Sequence, residues 1–178
     1  MRNMEYSRIQ KIIYWLKCKK HFPEIQQPFQ YSEQQTGSIM ILLPDTDIAF
    51  DFSELILNQA SSEIKDKMVF LVKESLAKFY SERLQKYSRL YSYKDIDSLA
   101  LPNEWFIEEI KKENYQNMID LNITFSAFSS FLVRACDSEV RMGFNYDNSK
   151  KYYNVILDKN YQKDLNGTFD MIGQFIKK

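Results

Sequence analysis

The sequence predicts an α/β fold: a Rossmann-like, three-layer open sheet, mainly parallel, with helices on both faces. Three observations carry this. Ile39–Leu43 and Met68–Val72 are short continuous apolar runs, which suit strands covered on both faces. Met118–Phe144 reads as strand, helix, strand: "MIDLN", an apolar-striped helix, then "EVRMGF". Strand patterns alternate with helical ones, the rhythm of right-handed parallel crossovers.

The first element is a helix over residues 6–20. Ile9, Ile12, Ile13 and Leu16 follow helical spacing and Tyr6 extends the stripe, while Arg8, Lys11 and Lys19 take the other side. Within residues 1–20, Arg2, Arg8, Lys11, Lys17, Lys19 and Lys20 stand against Glu5 alone. The aliphatic stripe is expected to pack on the domain or on a partner. The alternative is a helix lying on an anionic membrane surface. Residues 21–37, with Pro23, Pro28 and several Gln, read as a connector. The chain therefore divides into a helix and connector, 1–37, and one α/β domain, 38–178.

In the domain, Ser38–Leu43 is the first strand, ended by Pro44 and a turn of Asp45, Thr46 and Asp47. A helix follows over about residues 50–58. Lys67–Val72 is the second strand and Glu74–Arg83 a short helix. Arg89–Tyr93, rich in Tyr, is a third strand toward an edge. Asn103 is placed to cap a helix through Lys112, with Trp105, Phe106 and Ile110 on its buried side. Asn117–Leu121 is the fourth strand, expected beside the first at the sheet centre. The helix Thr124–Ala135 turns Phe125, Phe128, Phe131 and Leu132 to the sheet. Glu139–Phe144 and Tyr152–Leu157 are the fifth and sixth strands, and Lys163–Ile176 a closing helix.

Composition limits the function classes. With 178 residues the chain suits a single core. Four Gly and four Pro beside 13 Phe and 12 Tyr argue for regular elements and against disorder. Lys plus Arg equals Asp plus Glu, 24 each, so no general attraction to nucleic acid is expected. No apolar run approaches bilayer length, and the start lacks a signal-peptide pattern. The expected location is the cytoplasm, with peripheral contact to the inner membrane open through residues 6–20. Cys18 and Cys136 are read as reduced thiols.

Candidate chemistry collects at two strand ends. Asp45, Asp47 and Asp51 lie beyond the first strand, on the edge where open α/β sheets bind ligands. An Asp there can take a proton from an attacking hydroxyl. It can equally form a turn or sit at a helix start. Asp120 and Asn122 end the fourth strand and can bind a ligand hydroxyl, or Asn122 or Thr124 can cap the next helix. Arg141 and Lys151 can meet a phosphate, although solvated ion pairs are the simpler account. His21, the only histidine, lies outside the sheet, and Cys18 and Cys136 form no zinc-ligand motif, so no metal is expected. With neither a Gly-x-Gly-x-x-Gly turn nor a phosphate-binding Gly-rich loop, "Rossmann-like" describes topology, and no cofactor is expected.

On these residues, 38–158 resemble the N-terminal lobe of the heptosyltransferase-type glycosyltransferases. Those are two-lobed enzymes that move a sugar from a nucleotide-sugar onto growing lipopolysaccharide. "IDLN" at Ile119–Asn122, the helix after it and "VRMGF" at Val140–Phe144 carry the resemblance, with Tyr153, Asn154 and Val155–Leu157 behind them. A short bacterial α/β family is similar too, through Lys94-Asp95-Ile96 and the segment beyond Tyr152.

The transferase resemblance implies an Asp-x-x-Gly-Asp turn, matched here by Asp47–Asp51, with Asp51 in the catalytic position. Phe50 stands where that turn has Gly, and the Thr-Pro that usually follows is missing. The resemblance also implies that the donor is held mainly by a second lobe. The chain alone is thus not expected to be a complete glycosyltransferase. The expected function is a non-catalytic accessory or binding protein for a sugar-containing metabolite or for envelope carbohydrate enzymes. The first alternative is a transferase half using Asp51, with Asp47, Asp120 and Asn122 toward the ligand and a partner's donor lobe. The second is a structural protein that self-associates through its aromatic surface.

Overall fold

The computed structural model describes residues 7–22, 37–46, 48–158, 164, 166–168, 170 and 172. Its strands are β1 Ile39–Leu42, β2 Met68–Lys73, β3 Ser88–Tyr91, β4 Asn117–Asp120, β5 Val140–Phe144 and β6 Val155–Leu157. They form one sheet in the order β3-β2-β1-β4-β5-β6, and every pairing is parallel. The fold is Rossmann-like α/β, as expected. β1 and β4 are central neighbours, registered from Ile39 opposite Asn117 to Leu42 opposite Asp120. The strand order reverses between them, so a crevice at their carboxyl ends is where such a sheet meets ligands.

Strand alternation splits the core into two layers. Ile39, Ile41 and Leu43 of the β1 segment, with Ile119 and Met142, face α2, Ile48–Gln59. Met40, Leu42 and Met118 face the other way, toward α5, Glu104–Lys112, and α6, Ala127–Cys136. Between α2 and β2 lies a single-turn helix, α3, Ser62–Lys65, capped by Ser61. The helix expected over Glu74–Arg83 is two pieces, a 3-10 helix Glu74–Phe79 and the one-turn α4, Glu82–Gln85. Extended Tyr80 separates them, and Ser81 restarts the chain as a cap for the Leu84 amide. A capping serine holds the non-helical conformation that one continuous helix would forbid.

Asn103 caps α5 as expected, accepting from the Phe106 amide at 3.1 Å. Asn103→Ala should therefore cost about 1 kcal/mol in a denaturant melt. Ile107, not Trp105, joins Phe106 and Ile110 in the core, and Trp105 is 51% exposed. α6 begins later than expected. Its cap is Ser126, which accepts from the Ser129 amide, so neither Asn122 nor Thr124 takes that role. Phe125 lies ahead of the helix and is exposed, unlike buried Phe128, Phe131 and Leu132. Tyr152 and Tyr153 precede the short β6 rather than belonging to it. Of the closing helix, residues 166–168, 170 and 172 are helical, with Ile172 in the core; the rest lie outside the described residues.

The first helix, α1, Arg8–His21, starts with a capping box between Ser7 and Gln10. Its docking overturns the expectation that the aliphatic stripe packs on the domain. Ile9, Ile12, Ile13 and Leu16 all point to solvent. The helix instead meets the domain through Tyr14, Lys17, Cys18 and His21. The receiving surface explains this, because it offers specific partners rather than an aliphatic groove. Tyr152 meets the Tyr14 hydroxyl, Asp97 meets Lys17, and Phe131 receives Tyr14, His21 and Phe22.

Candidate functional site

β4 carries Asp120 to the carboxyl edge of the sheet, on the face covered by α6. It is 1% exposed. A carboxylate survives such burial only with hydrogen bonds to both oxygens. Asn122 supplies one side, with its backbone amide at 3.0 Å and its side-chain amide at 2.7 Å, both donating to Oδ1. Tyr153 supplies the other, donating its hydroxyl to Oδ2 at 2.6 Å.

The network extends outward. The Tyr146 hydroxyl donates to that of Tyr153 at 2.7 Å, and Ser130 Oγ lies 2.6 Å from Tyr146 and 3.0 Å from Tyr153. Asn122 also donates to Ser129 Oγ at 3.0 Å. Gly143 makes the geometry possible. A Cβ there would lie 2.5 Å from the Tyr153 ring, so only glycine lets the ring lie flat on β5 and reach Asp120.

Burial pushes the Asp120 carboxyl up to about 6, against the pull of the Tyr153 and Asn122 hydrogen bonds. Burial likewise raises Tyr153 and Tyr146 well above the usual phenol range, with the Asp120 charge adding to both. These phenols therefore act as neutral donors. Both oxygens of Asp120 accept internal hydrogen bonds, so the carboxylate organises the side chains around it.

A cleft of about 370 Å³ opens beside this network. Loops following three strands line it. Leu101 comes from the loop after β3, Phe125 from the loop after β4, and Asn148, Lys151 and Tyr152 from the loop after β5. Tyr14 of α1 closes one side. Phe125 touches both Tyr146 and Tyr152, at ring-centroid distances of 5.3 and 6.1 Å, which joins cleft wall to network. Lys151 Nζ sits 4.7 Å from the Tyr14 ring and 3.2 Å from its hydroxyl, to which it donates. The cleft thus combines aromatic faces, a carboxamide and one cation.

The residues expected from sequence do not converge. Asp120 and half-buried Asn122 form the centre of the network. Asp51 is exposed in the first turn of α2, and Asp45 is exposed and pairs with Lys73 at 3.0 Å. Asp47 lies outside the described residues. Phe50, in place of the expected Gly, packs its ring 4.7 Å from that of Tyr80. Arg141 is not solvated surface. It is 2% exposed and donates to the Ser138 carbonyl and to Asp137. Lys151 belongs to the cleft.

Sequence reading missed Tyr146, Tyr153, Ser129 and Ser130 as a polar set. The available signal was Ser129-Ser130 inside an otherwise apolar helix, because buried hydroxyls demand partners. Among the described residues one group could hold a cation. His21, Glu104 and Glu108 place ligand atoms within 4.8 Å of one another. Lys20 pairs with Glu104 and Lys111 with Glu108, so the carboxylates already serve ion pairs that fix α1 and α5. His21 is buried, which lowers its proton affinity, although Glu104 pulls it back up. Cys18 and Cys136 are both free thiols. No family model, no curated protein and no solved structure matches this chain.

Proposed function

We propose that this chain is a non-catalytic binding protein that takes a sugar-containing metabolite at the carboxyl edge of its sheet, like an isolated acceptor-side lobe of a sugar transferase. The observation that carries this reading is the enclosure of Asp120, which is 1% exposed and whose oxygens both accept internal hydrogen bonds. A general base must reach the proton it removes. The buried acid of this crevice is spent on structure.

The cleft supports a sugar on chemical grounds. The exposed aromatic ring of Phe125 matches the C–H face of a pyranose. Asn148 can bond hydroxyls in both directions, and Lys151 can meet a phosphate. A second reading, a transferase half completed by a partner's donor lobe, is favoured by one observation. Asp51 is exposed in the first turn of α2, the helix that follows β1.

Calorimetric titration with hexose and heptose phosphates and with nucleotide-sugars tests the proposal. At least one should bind without turnover. Lys151→Ala, an exposed change, should weaken a phosphorylated ligand about tenfold, and Phe125→Ala should weaken sugars with or without phosphate. Sugar transfer that disappears in Asp51→Ala would replace this reading with the transferase half. Absence of binding to every saccharide would remove it.

A further inference from the structure

Helix α1 has two unlike sides. The inner side is committed to the domain through Tyr14, Lys17 and His21. These contacts fix the helix so that its other side faces away from the body. There, Ile9, Ile12, Trp15 and Leu16 are 70, 58, 58 and 51% exposed, and Ile13 is 41% exposed. At 3.6 residues per turn, Ile9, Ile12, Ile13 and Leu16 share an arc of about 100°, bordered by Arg8, Lys19 and Trp15. Between Ser7 and Phe22 there is no Asp or Glu. Lys17 and Lys20 pair with Asp97 and Glu104 of the domain, and exposed Arg8 and Lys19 border the apolar arc, while Lys11 falls on the side of Tyr14 and Cys18.

We propose that this outward face of α1 is a membrane-surface helix, which seats the protein peripherally on an anionic lipid bilayer. Ile9, Ile12, Ile13 and Leu16 enter the boundary between headgroups and acyl chains, and Arg8 and Lys19 meet lipid phosphates. Trp15, with the Lys19 ammonium 5.5 Å from its ring centroid, sits at the level where an amphipathic ring and a cation both belong.

Charge selects this occupant. A second copy packed face to face would bring Arg8 and Lys19 against their own kind. An anionic surface neutralises both together, at about fivefold in affinity per cation. The geometry is that of a helix lying in the surface. Its 14 residues give a length of about 21 Å, and no described helix is long and apolar enough to cross a membrane.

Flotation of the full chain with vesicles decides it. Vesicles of phosphatidylcholine alone are compared with vesicles containing phosphatidylglycerol. The chain should float with the anionic vesicles and not with the neutral ones. Arg8→Glu and Lys19→Glu together should weaken binding about 25-fold or more. Ile12→Gln with Leu16→Gln should abolish it, while the thermal melt stays unchanged because both positions are exposed. In a Trp105→Phe background, Trp15 fluorescence should shift to the blue on anionic vesicles. The proposal falls if wild type ignores anionic vesicles, or if both sets of substitutions leave binding intact. It falls equally if the Gln substitutions instead break a dimer or a complex with an acidic protein while vesicle binding is absent.

Discussion

Gly143→Ala should destabilise the fold by about 3 kcal/mol, a large effect for one methyl group in a strand. The new Cβ would meet the Tyr153 ring at 2.5 Å. The ring cannot swing aside cheaply, because Tyr153 is 2% exposed and its hydroxyl is held by Asp120, Ser130 and Tyr146. Overpacking costs about 1–3 kcal/mol, and loosening a hydrogen bond to a buried carboxylate adds a similar amount. The usual gain of Ala over Gly in a strand, about 0.5–1 kcal/mol, offsets only part. Urea melts measure the loss. A double-mutant cycle with Tyr153→Ala should show the Gly143→Ala cost shrinking when the ring is gone. A neutral Gly143→Ala would mean that Tyr153 does not lie on β5.

Tyr153→Phe should have a pH-dependent cost, about 2–3 kcal/mol at pH 7.5 and about 1 kcal/mol near pH 4. The sign follows from Asp120. Its carboxyl is raised from the ordinary value of 3.8 to about 6 in the folded chain, so the folded state binds that proton more tightly than the unfolded chain does. The contribution of Asp120 therefore favours folding below about pH 4, falls between about pH 4 and 6, and is constant above. The total swing is about 3 kcal/mol, at about 1.4 kcal/mol per tenfold change in proton affinity. Tyr153 steadies the charged form, so its removal moves the carboxyl higher and deepens the loss at neutral pH. Parallel melts of wild type and variant across pH 4–8 measure this. An equal cost at both ends would detach Tyr153 from the charge of Asp120.

The sheet was legible because period and burial agree in it. Ile39–Leu43 and Met68–Val72 are apolar on both faces, and a strand buried on both faces has few other places to go. Asn103 was legible as a cap because its chemistry is local. Interactions that depend on tertiary partners were not. The stripe of Ile9, Ile12, Ile13 and Leu16 has the correct spacing for burial, but spacing does not say whether a groove exists to receive it. The surface that α1 meets offers Phe131, Tyr152, Asp97 and Glu104, so Tyr14, Lys17 and His21 turned inward.

Asp120 and Asn122 were identified as candidates from their strand end. Their partners could not be, because Tyr153 reaches Asp120 across 33 positions and only over the bare backbone of Gly143. Asp51 was proposed through a turn motif, and the chain places Asp51 exposed in the first turn of α2.

The central claim is that Asp120 is a sealed structural carboxylate rather than an acid or base at work on a substrate. A carbon-13 carboxyl titration of Asp120 in the intact chain tests it most directly. The account predicts a midpoint near 6 that rises in Tyr153→Phe, with the Asp120 signal little changed when a sugar phosphate fills the cleft. A midpoint close to the ordinary 3.8, unmoved by Tyr153→Phe, would show a solvent-open carboxylate and contradict the account.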